Sequence, residues 1–177
     1  SIDGALYFWT HNTPIQQSGS EYIYTADDYA TYNRTGGTGT AKGAALSGGQ
    51  VPSGKIASGQ SFFVGTASGI PANSRFQFKN SMRIIDQNTQ FFKQASTKKA
   101  TAIEKNRVWL NLTNSGGAFK QLLVGYITGA TNDWDNLYDG PSFDGQEFVD
   151  FYSTNQGKNL TIQGRGLPFV DTDVVPL

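Results

Sequence analysis

The stretch Arg107-Val108-Trp109-Leu110-Asn111-Leu112 decides the fold class. Its apolar residues alternate with larger or polar ones, so Val108, Leu110 and Leu112 project to one side of a strand and Arg107, Trp109 and Asn111 to the other. Period two predicts one buried and one solvated face, the pattern of an antiparallel sheet. Arg75-Phe76-Gln77-Phe78-Lys79 and Leu160-Thr161-Ile162-Gln163 repeat it. Working outward, further short apolar runs predict strands at Ala5–Trp9, Glu21–Thr25, Ser61–Val64, Phe119–Thr128 and Glu147–Tyr152. The 21 glycines and six prolines fall between these runs as turn signals.

Helical periodicity is scarce. Gln94–Asn106 carries Lys98, Lys99, Glu104 and Lys105 but no apolar stripe, and reads as a polar loop with at most one helical turn. Thr35–Ser53, rich in Gly, Thr and Ser, reads as a long surface loop. With no internal repeat and no clear boundary, residues 1–177 are expected to form one module. The expected fold is all-β, a two-sheet antiparallel β-sandwich of jelly-roll-like topology with long Gly/Thr/Asp-rich loops.

Composition narrows the function. Fourteen basic residues balance fourteen acidic ones, so nucleic acid is a poor partner, since phosphate neutralisation supplies most of that affinity. There are no cysteines, which removes disulfides and thiolate metal sites. No apolar run approaches the ~20 residues of a membrane-spanning helix. One histidine, His11, leaves little material for general acid-base or triad chemistry, and no Gly-x-Ser-x-Gly elbow accompanies it. Glycoside hydrolysis needs only two carboxylates, but Glu21, Glu104 and Glu147 stand in no context that suggests a cleft. A non-enzyme is expected.

The stretch richest in chemistry runs from Ala130 to Gly145 and holds Asp133, Asp135, Asp139 and Asp144. Four carboxylates among Asn and Gly could supply the oxygen ligands that Ca2+ takes from flexible loops. The same residues form turns without an ion, and the spacing is not that of an EF-hand. Trp109 and Trp134, with Tyr138, are the candidate stacking platforms for a sugar ring. Trp9 reads instead as a cap on the core. Tyr22, Tyr24, Tyr29 and Tyr32, near Asp27 and Asp28, could line a binding surface or pair across strands.

A set of stretches in order along the chain resembles a β-rich region of large proteins exported by the type IX secretion system of Bacteroidetes, especially flavobacteria. They are Leu6–Pro14, Gly54–Val64, Asn80–Arg83, Asn88–Phe92, Arg107–Asn114, Val124–Thr131, Tyr138–Pro141 and the stretch from Phe151-Tyr152 through Leu160–Phe169. The resemblance implies a non-catalytic adhesion or structural module of a secreted surface protein, lying before a C-terminal sorting domain, at the outer cell surface. No catalytic residue is carried over with it. The alternative is a carbohydrate-binding accessory to a secreted polysaccharide-degrading enzyme. A chain that begins inside its first strand and stops at Val175-Pro-Leu177 is expected to be a piece of a larger protein. Neighbouring domains or subunits would then complete its sheets by strand addition, or a surface glycan would be its partner.

Overall fold

A computed structural model describes residues 2–10, 16–23, 25–40, 51–85, 105–115, 118–143 and 149–177. Among them the chain is all-β, with two 3-10 turns at Ala26–Asp28 and Asn80–Met82 and no α-helix. The strands are β1 (Ile2–Trp9), β2 (Gln16–Ser18), β3 (Glu21–Ile23), β4 (Tyr29–Tyr32), β5 (Gly37–Thr38), β6 (Phe63–Thr66), β7 (Lys105–Thr113), β8 (Phe119–Ile127), β9 (Gly140–Pro141), β10 (Ser153–Asn155) and β11 (Lys158–Arg165). They form a four-stranded sheet in the order β5-β4-β1-β6 and a five-stranded sheet in the order β10-β11-β8-β7, where β9 also pairs with β11. A small hairpin, β2-β3, stands apart.

The two larger sheets face each other. The indole N–H of Trp109 on β7 donates to the carbonyl of Gly37 on β5 (3.1 Å), and the Gly39 amide donates to Oε1 of Gln121 on β8 (3.0 Å). These contacts fix which side of β7 looks inward, and it is the opposite of the expected one. Trp109 and Arg107 contact the other sheet at Gly37 and Gly36, though Trp109 stays 41% exposed, and Val108 (44%) and Leu112 (37%) point to the opposite side of β7. The apolar alternation of β7 is therefore not a core stripe. As an outer strand of its sheet, β7 leaves this side uncovered among the described residues.

The sheets are antiparallel as expected except at one pair, β8 and β11, which run parallel and pair Leu123 with Ile162 and Gly125 with Gly164. Parallel strands need cover on both faces, and their sequences run continuously apolar. Leu122-Leu-Val-Gly-Tyr-Ile127 is such a run and is buried throughout. Its neighbour β11 alternates Leu160-Thr-Ile-Gln163, yet Thr161 and Gln163 are buried too, so no solvated face exists there. Arg75–Phe78 forms no strand. It lies extended without a ladder partner, and Phe76 and Phe78 are more than half exposed. The residues 149–152 of the expected strand Glu147–Tyr152 are irregular, and the strand starts at Ser153.

Thr35–Ser53 is a surface loop only in part. Thr35, Gly36, Gly37, Thr38 and Thr40 are buried and contribute β5, while residues 41–50 lie outside the described residues. Gln94–Asn106 lies outside them as well, apart from Lys105 and Asn106, which open β7. Between the sheets, buried polar side chains are as numerous as buried apolar ones among the described residues. Phe8 and Ala30 anchor an apolar cluster with Leu6, Tyr32, Ile56 and Phe62. Leu122, Leu123, Leu160 and Ile162 are fully buried as well, and buried Asn33 and Thr35 among them are hydrogen-bonded, which makes such polar pairings consequential.

Candidate functional site

The acidic segment folds as a tight double turn. Amides of Tyr138 and Asp139 donate to the Asp135 carbonyl (3.0 and 2.7 Å). Oδ1 of Asp135 accepts the Leu137 amide at 2.9 Å, an Asx turn. Asp139 is fully buried, with Oδ2 accepting the Asp135 amide and Oδ1 the Gly164 amide, both at 2.8 Å. Burial pushes its carboxyl up to about 6, against the opposing pull of those two N–H groups. The neighbouring Tyr138 carbonyl accepts from Asn33 Nδ2 (2.7 Å) and Thr35 Oγ1 (2.6 Å), which ties the turn to the opposite sheet. Gly4 (φ +106°) allows β1 to run against the carbonyls of Asn136 and Asp139, where a Cβ would collide.

Asp133 is spent differently. Its Oδ1 accepts Gln156 Nε2 at 3.0 Å on the surface. Asp133, Asp135 and Asp139 thus each serve a separate protein donor, and the described residues contain no cluster of three His, Asp or Glu able to hold a metal. Asp144 lies outside the described residues, as do His11, Tyr24, Glu104 and Glu147.

The candidate sugar platforms are not brought together. Trp134 is half-buried with Lys158 Nζ 4.7 Å over its ring, beside the β10-β11 hairpin. Trp109 sits at the opposite edge of the five-stranded sheet, on β7. Tyr138 contributes its carbonyl to the seam, and its hydroxyl packs against Gly129. Trp9, read as a core cap, is 41% exposed.

A cleft missed at the sequence level opens near Trp109, where the 3-10 turn, β4, β5 and the start of β8 converge. Asp27, Tyr29, Thr38, Thr40, Lys120 and Gln121 are among its walls, and Phe119 and Phe143 add aromatic faces. Its volume is about 30 Å³, room for one or two waters or one protruding group of a larger ligand. Burial raises the Asp27 carboxyl to about 6, Lys120 opposes the shift and Asp28 adds to it. Lys120 forms an ion pair with Asp150, and its Nζ lies 3.4 Å from Ser142 Oγ. Asp27 is the one carboxylate among the described lining residues. The cleft is equipped to hydrogen-bond hydroxyls. Only the grouping of Tyr29 with Asp27 and Asp28 signalled it in the sequence.

Compared with known proteins, residues 1–177 match the family described as "Domain of unknown function (DUF8693)". The chain belongs to this family. The match spans every residue of the turn, the seam and the cleft, so the whole arrangement falls within a single family domain. No curated protein and no solved structure gives a significant match to the chain.

No helix among the described residues is long and apolar enough to cross a membrane. The last segment is pinned to the five-stranded sheet instead. Arg165 pairs with Asp173, Tyr126 Oη donates to Asp173 (2.8 Å), and the Thr154 amide donates to the Pro176 carbonyl (3.0 Å).

Proposed function

We propose that this chain is a non-catalytic adhesion or structural module of a large secreted surface protein, displayed outside the cell by type IX export. The observation that carries the reading is an exposed aromatic shoulder beyond β6. Phe63, Phe76, Phe78, Met82, Ile84 and Ile85 are each more than half exposed, and Phe76 and Phe78 stack edge to face at 4.9 Å. Exposed apolar groupings of this kind mark contact surfaces. Replacing Phe76 and Phe78 with Ser is expected to leave the fold intact and to weaken attachment of coated beads to cells or to the parent assembly. Undiminished attachment would count against the shoulder as the adhesive surface.

A second reading, glycan binding, is favoured by Trp109. Its ring is 41% exposed beside the Asn111–Gln121 amide pair (2.9 Å), on the side of β7 that leads to the Asp27 cleft. A flat ring next to amides and hydroxyls suits a pyranose. On a glycan array, this reading expects binding that Trp109→Ala abolishes; no binding to any glycan removes it.

A further inference from the structure

β7 is the exception among the outer strands of the two sheets. Native sheets protect their edges by keeping them short, covering them, or breaking them with bulges, prolines or inward charges. β5 is two residues long, β6 four and β10 three, and β10 is further covered by the Pro176 carbonyl on its Thr154 amide. β7 runs for nine residues, pairs with β8 in unbroken register from Lys105 to Thr113, and contains no proline or bulge. Among the described residues it pairs with β8 alone. Val108, Trp109 and Leu112 are all more than a third exposed along it.

Its sequence also suits its own reflection. In the antiparallel register that matches all nine residues, the two-fold axis passes through Trp109. Val108 then faces Leu110 of the other copy, Arg107 faces Asn111 and Lys105 faces Thr113. Trp109 faces its own copy and Leu112 faces Asn106, so Val108–Leu110 and the Trp109 pair are the apolar contacts. No two cations stand opposite, whereas directly opposed like charges would destabilise the pair. β7 contains no acidic residue that would call for a basic partner strand. Such a contact is closed and self-complementary, the common form of a homodimer interface.

We infer that β7 is a dimerisation strand, pairing antiparallel with β7 of a second copy to join two five-stranded sheets into one. The inference gives the strand addition expected from the sequence an address, and failure of glycan binding or of surface attachment leaves it standing. The test uses the intact chain at concentrations up to millimolar. Sedimentation should show a dimer, and Val108→Lys with Leu112→Lys should convert it to a monomer with unchanged circular dichroism, since both side chains are exposed. Because the chain has no cysteine, single Cys probes can be spin-labelled at Val108 or Thr113. Along the strand, paired probes at Val108 should be offset by about 7 Å and those at Thr113 by about 27 Å, at ~3.4 Å per residue. A monomer throughout, a dimer indifferent to the double substitution, or equal distances at both probes would overturn the inference. A hetero-complex through β7 in place of the dimer would overturn the choice of a second copy.

Discussion

Asp139 shows how a residue that looks like a metal ligand can serve as a backbone clamp. Both of its oxygens accept amide protons, one within its own turn and one from β11. Asp139→Asn keeps one acceptor and turns a donor toward the other amide, so it should lower unfolding free energy by about 1–3 kcal/mol in urea. Thermal unfolding in excess chelator should match that without it, because the turn's bonds are all protein to protein; a clear fall in Tm would show that Ca2+ holds the segment. Asp139 and Asp27 also set a pH dependence. Each carboxyl holds its proton more tightly folded, at about 6, than at the ordinary value of 3.8. The folded state therefore binds more protons across that interval, and stability should fall as pH rises from 4 to 6 and then level off. Asp173, held low by Arg165, acts in the opposite sense and loses its contribution as pH drops below 3.8. Melting curves at pH 4, 5, 6 and 7 check this, and Asp27→Asn with Asp139→Asn should flatten the decline.

Strands were legible where an apolar run was long enough to need burial, as in β1, β7, β8 and β11. Their faces were less so. The pattern of β7 is ambiguous because Trp109 is both the largest apolar group and out of phase with Val108, Leu110 and Leu112. Its indole found a carbonyl on the other sheet, and that bond decided the orientation. Val108→Lys should therefore change stability by no more than about 0.5 kcal/mol, while Leu123→Ala on the buried β8 should cost about 2–5 kcal/mol. The opposite ranking in chemical denaturation would restore the alternation as a core stripe. Thr35-Gly-Gly-Thr-Gly-Thr40 was misread because glycine usually signals a loop. In a strand it can also signal close backbone approach, and here Gly36 packs against Leu123 and Gly37 against Pro52. The parallel pairing of β8 with β11 was hidden for a different reason, since pairing direction depends on contacts between distant segments.

Seen whole, the molecule joins two sheets by a polar seam whose strongest ties run from Asn33 and Thr35 to the 130s turn. The acidic segment was legible as a special place, though Asp133, Asp135 and Asp139 each accept from a different partner. The Asp27 cleft assembles residues from five separated segments, which no single local motif announces. We propose above all a displayed surface module with no catalytic role. The most direct measurement is labelling of intact, unpermeabilised cells that produce the parent protein with an antibody to residues 51–85, beside assays of attachment and polysaccharide hydrolysis after in-frame deletion of residues 1–177. Surface label, lost attachment and unchanged hydrolysis are the predicted result. Label confined to permeabilised cells, or hydrolysis lost again through Asp27→Asn alone, would contradict it.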